Sequence, residues 1–259
     1  MRKIPGASCS GLLIAFALGF FACIPAWGGA FSVNPIKLDL GVAARSGVLV
    51  VKNEGLEKLT FQIEAKQWTQ DADGKDQYTD STDLIFFPKI LSIDPGIEGV
   101  VRVGVKNPIV AAEKTYRVFI EELPGVAPPP SEPGTRGSAQ ISVLIRFGAP
   151  IFIAPAKSDD SADITSLFIS NAVIALTVKN TGNRHQLIEG IELRGVDSSG
   201  KEIYALTLAD RYLLNGASKG FKATVPADQC AKLVALSVEL KTDKAGAKRK
   251  IDVNRSSCY

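Results

Sequence analysis

The chain has 259 residues, with 30 lysines and arginines against 27 aspartates and glutamates, a formal net charge of +3. That near-balance excludes the strong basic field that nucleic-acid binding requires. One histidine and four cysteines leave little material for hydrolytic or metal chemistry, and the length accommodates one large or two ordinary domains.

Arg2 and Lys3 precede a mostly apolar run, Gly11 to Ile24, and Gly28-Gly29-Ala30 then offers small residues before Phe31. This order predicts a signal peptide over 1–30, cleaved after Ala30. The apolar run is short for a membrane span, and Phe20, Phe21 and Ala22 make a poor lipobox ahead of Cys23. The mature chain then holds 28 basic and 27 acidic residues and is expected to be exported to an oxidising compartment. Its remaining cysteines, Cys230 and Cys258, are expected as a disulfide, with two free thiols as the alternative.

Phe31 to Leu40 (FSVNPIKLDL) is a strand pattern interrupted at Pro35, which favours an edge. Gly47 to Asn53 and Leu59 to Gln70 follow as strands, the second alternating so that Phe61, Ile63 and Ala65 face inward. In the run DADGKD, Asp71, Asp73 and Asp76 resemble calcium ligands. Gly74 comes too early for an EF-hand loop and no glutamate closes it, so the expectation is a hairpin turn. Leu84 to Pro88, Leu91 to Gly96, Val100 to Val105 and Lys114 to Leu123 complete a run of β-rich segments. With the strand described next, that makes about seven strands and no helix, the spacing of an antiparallel sandwich.

After a Pro- and Gly-rich stretch, Ser138 to Pro155 (SAQISVLIRFGAPIFIAP) alternates Ile141, Val143, Ile145 and Phe147 with Ser142, Leu144, Arg146 and Gly148. A period of two sends these sets to opposite faces. Pro150 cannot donate to a ladder, which again favours an edge. A long apolar edge is an aggregation hazard. Either the protein covers this strand itself, or the edge exists to pair with another chain. Ala156 to Asp163 reads as a linker, and a second sandwich follows, with strands over 173–180, 188–194, 202–208, 221–225, 233–240 and 250–253. The sole histidine, His185, stands beside a turn with no Gly-x-Ser-x-Gly elbow, which predicts a hydrogen-bonding role and no catalysis. No phosphate loop or zinc ligand set is present in the sequence, and neither cofactor nor metal is expected.

Taken in order, FSVNPIKLDL, LVVKNEG, WTQ at Trp68 to Gln70, DLIFFPKILSIDPGIEGVVRVGV, EKTYRVFIEELP, ISVLIRFGAPIFIAP, NTGNRH and RYLLNG span nearly the whole mature chain. The set resembles the PapD-like periplasmic pilus-assembly chaperones, in their archaic or spore-coat branch. The resemblance implies an all-β protein of two immunoglobulin-like domains, 31–155 and 156–259, set in an L around a cleft. It further implies that the last strand of the first domain is lent to a pilin subunit by β-augmentation. Ile141, Val143 and Ile145 would be the donated residues, with Phe147 extending the row.

The same resemblance implies two basic cleft residues that hold a subunit's terminal carboxylate. One falls on Lys37. The second falls on Pro150, which cannot serve, so Arg146, of the same strand parity, and more weakly Arg102 are the expected substitutes. Lys37 as a solvated edge lysine and Arg146 as a sandwich-surface arginine are the plain alternatives. Implied partners are pilin or fimbrial subunits and an outer-membrane usher, without nucleic acid or ATP, and free molecules could self-associate through edge strands. The competing function is a structural or adhesive β-sandwich of the cell surface. A hydrolase using His185 is the remote third.

Overall fold

The computed structural model describes residues 31–125 and 143–259. Two all-β sandwiches follow one another along the chain, as the alternating segments predict. In the first, β1 (Phe31–Asn34), β3 (Ser46–Asn53), β8 (Glu98–Val105) and β6 (Leu84–Phe87) form one sheet in that order. The facing sheet runs β2 (Leu38–Leu40), β10 (Arg146–Ile153), β9 (Lys114–Glu122), β4 (Leu59–Gln70), β5 (Asp76–Asp80), with β7 (Ile90–Ile93) also on β4.

The single strand expected over 31–40 is therefore two. β1 pairs antiparallel with β3, then the chain crosses at Pro35 to Lys37 and β2 pairs parallel with β10 on the other sheet. The missing N–H of Pro35 suits a point where a ladder is abandoned. Inward residues of both sheets, among them Leu49, Phe61, Val101, Val118, Ile120 and Ile151, have no exposed surface and form the first core. The DADGKD run closes the β4–β5 hairpin as expected. Asp71 Oδ1 accepts from the backbone N–H groups of Asp73 and Lys75, both at 2.9 Å, which is turn chemistry rather than ion binding. Among the described residues no cluster suited to a metal occurs.

The second sandwich packs β11 (Ala162–Ser170), β12 (Val173–Asn180) and β16 (Ser218–Thr224) against β14 (Glu202–Leu208), β13 (Gln186–Val196), β17 (Ala235–Thr242) and β18 (Gly246–Asp252), with β15 (Tyr212–Leu213) added to β13. The short helix α1 (Ala227–Cys230) is joined to the C-terminal turn by a Cys230–Cys258 disulfide, Cα–Cα 5.8 Å. A 28-residue separation makes that link worth about 3–4 kcal/mol in the chain-entropy account.

The two domains share a local device. Asn53 and Asn180, both fully buried, end β3 and β12 in the repeated string Val-Lys-Asn-x-Gly. Each amide nitrogen donates to two backbone carbonyls, Glu57 and Ile93 in one domain, Arg184 and Leu213 in the other. Each amide oxygen accepts from the glycine two residues on. A buried amide so satisfied pins the strand end to its neighbouring loops.

Candidate functional site at the open edge and the interdomain cleft

Strand β10 is where the sheet is left unfinished. Its whole length pairs antiparallel with β9, Arg146↔Glu121 through Ile153↔Lys114. On its other side β2 covers only Ile151 to Ile153. Glu122 N–H donates to Ile145 O at 3.0 Å, so the odd residues of β10 bond toward β9. Ala154 N–H donates to Leu40 O at 2.8 Å, so the even ones point toward β2. The backbone groups of Arg146 and Gly148 therefore face an edge with no strand among the described residues. Pro150 lies on the same side and has no N–H to leave unpaired.

The side chains divide as sharply. Ala149, Ile151 and Ile153 are fully buried in the first core, and Phe147 packs half-buried against it. Val143 is 73% exposed and Leu144 46%. Ile145 is half-buried and is not among the residues of that core. Phe147 thus belongs to its own domain, whereas Val143 and Ile145 project beyond it. Ile141 lies outside the described residues.

Between the domains is a cleft of about 650 Å³. Extending the β2–β10 register by one residue places Lys37 beside Pro150, and β9 places Arg117 opposite Pro150 on its other side. Two cations thus flank the position where the sequence resemblance asks for one. Lys37 pairs with Asp39 at 3.0 Å and sits 5.8 Å over the Phe152 ring. Arg117 lies 4.1 Å over Trp68, donates from Nη1 to Gly148 O at 2.9 Å, and approaches Asp76 only to 3.8 Å. Its Nε is buried without a partner. Gly148 makes this possible, because a Cβ there would stand 3.0 Å from the Phe119 ring and 3.3 Å from Arg117 Cδ.

The other expected cations are elsewhere. Arg146 is bound to Glu121 at 3.0 Å and Glu64 at 3.7 Å and lies 4.0 Å over Phe119, so two carboxylates already neutralise it away from the cleft. Arg102 is on β8 of the opposite sheet, beside Val48 and Phe87. The structure brings neither to Lys37. Arg117 was the residue that sequence reasoning missed. Its signal was its register with Pro150, which one strand alone does not show.

His185 stands at the domain junction and does not line the cleft. Its backbone N–H donates to Glu113 Oε1 at 2.8 Å, its Nδ1 lies 2.9 Å from both Glu113 oxygens, and its ring stacks on Phe152 at 3.7 Å. That is the hydrogen-bonding role expected of it. Next to it the Arg184 guanidinium holds the Asp160 carboxyl below the usual carboxylate range, fastening the linker to the start of β13.

The half-open edge strand β10 thus runs beside a cleft whose lining mixes Lys75, Arg117, Arg211 and Lys219 with Asp73, Asp76 and Asp210. Residues 30–159, half of the chain, match the family of the pili and flagellar-assembly chaperones, PapD N-terminal domain. The chain belongs to this family of non-catalytic periplasmic chaperones of pilus assembly. No curated protein matches it significantly. Among solved structures it is similar to the CsuC–CsuE chaperone–tip adhesion subunit pre-assembly complex of Acinetobacter baumannii, at 17% identity, over 87% of this chain and 98% of that one, TM-score 0.56. It is also similar to the YadV chaperone, at 12% identity over 87% and 100%, TM-score 0.54. The Pseudomonas aeruginosa CupB2 chaperone matches at 13% identity over 86% and 100%, TM-score 0.50. At such identities the likeness is one of fold.

Proposed function

We propose that this chaperone is exported by its N-terminal segment and captures pilus subunits by lending them β10, together with the residues that precede it. The observation that carries this is the edge at Arg146 and Gly148, which no strand covers among the described residues, continued by exposed Val143. A subunit whose own sandwich lacks a strand would pair its backbone with that edge and bury Ile141, Val143 and Ile145 in its groove. Backbone hydrogen bonds supply affinity, and the alternate side chains supply fit. Binding free energy alone drives the exchange, with no nucleotide. The ordered motif set supports the archaic or spore-coat branch, and in such a pathway the next recipient is an outer-membrane usher. The same open edge would pair two free chaperones before a subunit arrives.

In the cleft, Lys37 and Arg117 would hold the subunit's terminal carboxylate. Lys37 acts as a point charge, and Arg117 presents a fork already oriented by Trp68 and Gly148. Co-expression with a short pilin-type subunit tests the reading. The expected product is a soluble one-to-one complex from the periplasm, and a subunit that aggregates equally with and without the chaperone would contradict it.

A further inference from the structure

The two domains are held together by two adjoining sets of contacts, one reached from the linker and one from the cleft wall. One fastening is at the linker. Asn183 donates to Ala111 O and Lys157 O and accepts from Asp159 N–H, while Glu113 receives His185 and its carbonyl receives Asn215. Of these, Lys157 and Asp159 lie where the chain passes from one domain to the next, and Asn215 ties the residue after Leu214 to Glu113. The second fastening is in the cleft wall, at the end of β4. Gln70 Nε2 donates to Tyr212 O at 2.9 Å, and Gln70 Oε1 accepts from Leu214 N–H at 3.0 Å. One side-chain amide thus makes the reciprocal pair that a neighbouring strand would make with β15. Beside it Trp68 meets Tyr212 edge-on at 5.3 Å, and Leu214 joins Trp68 and Phe152 in a small core shared by both domains. The β4–β5 turn lies on the second domain as well, since a Cβ on Gly74 would come within 2.6 Å of Lys219 Cγ.

Gln70 is reached from β4 and not from the linker, so it ties the cleft wall of the first domain directly to β15. We propose that Gln70 is a positioning residue that fixes the width of the cleft, and so the distance from Lys37 and Arg117 to the second domain. This rests on the donor-strand reading for its functional consequence, but not for its geometry. Its chemistry is selective. The Gln70 amide also donates to Asp76 Oδ1 at 3.2 Å, so glutamate at 70 would still accept from Leu214 but would set a carboxylate oxygen against both the Tyr212 carbonyl and the Asp76 carboxylate, and only the protonated acid restores the donor.

Spin labels on exposed Lys58 and Lys248 (Lys58→Cys, Lys248→Cys), one in each domain, read the cleft angle by electron–electron distance measurement. The unsubstituted chain is expected to show one narrow distribution. Gln70→Ala should broaden it and lower captured subunit roughly tenfold, the loss of two neutral hydrogen bonds. Gln70→Glu should broaden it at neutral pH and narrow it again at about pH 4, where a carboxyl regains its proton, while the unsubstituted protein stays narrow at both. Distributions equally narrow in all three proteins would overturn the positioning role. If the unsubstituted chaperone captures no subunit, the donor-strand reading fails, and the distance measurement still decides the role of Gln70.

Discussion

Val143→Thr combined with Ile145→Thr is expected to leave the melting temperature of the free chaperone unchanged and to remove the co-purified subunit. Threonine keeps the branched Cβ that suits a strand and replaces apolar surface by a hydroxyl. In the free protein Val143 is 73% exposed and Ile145 is outside the core, so neither hydroxyl has to be buried there. In a subunit groove each lost side chain forfeits roughly 1.5–3 kcal/mol, and two together lower capture by a factor of about a hundred or more. Phe147→Thr is the internal contrast. It lies against Ala149, Ile151 and the rest of the first core, so it should lower the melting temperature of the free protein. A double mutant that melts far below the parent would show that Val143 and Ile145 are ordinary core.

Arg117→Ala should weaken capture more than Arg146→Ala, although Arg146 stands closer along the chain to Val143 and Ile145. A charge-assisted hydrogen bond to a terminal carboxylate is worth on the order of 1.5–3 kcal/mol, and besides the Gly148 carbonyl Arg117 has no carboxylate nearer than Asp76, at 3.8 Å. Arg146 already holds two carboxylates at the surface, and such pairs contribute about 0–1 kcal/mol. Because Arg117→Ala also uncovers Trp68, the informative quantity is a coupling. Extending the subunit by one residue moves its carboxylate, and this should cost capture with the parent and almost nothing with Arg117→Ala. Additive losses would mean that the two groups do not meet. Arg117→Lys should fall between, since it keeps the charge but loses the fork and the stacking face.

The sequence made the strands legible where alternation was clean. β4, β12 and β14 occupy the spans their period indicates, and β9 ends one residue early. β11 has no counterpart among the expected strands: its first two residues fall in the expected linker, and a bulge between Ile164 and Ser166 shifts its register and breaks the period of two. Helix α1, only four residues long, is too short for a 3.6-residue period to show. The alternating row proposed for donation stands out in the sequence for the same reason as β4. Periodicity does not say where a strand stops being covered, so it extended the row to Phe147, which the fold turns inward. The cleft was the least legible part. Gln70 and Arg117 come from β4 and β9 and Lys37 from the crossing before β2, and their neighbourhood exists only through the registers of β2, β4, β9 and β10. The Val-Lys-Asn-x-Gly repeat was present in plain view and marks equivalent corners of the two sandwiches.

Hydrogen exchange followed residue by residue by NMR, in the free chaperone and in its complex with a subunit, tests the open edge most directly. The amides of Arg146 and Gly148, which face the side without a strand, should exchange quickly in the free protein and become protected on binding. The amides of Phe147 and Ala149, bonded toward β9, should be protected in both states. Protection at Arg146 and Gly148 in the free monomer, or no change there when the subunit binds, would contradict donation of this strand.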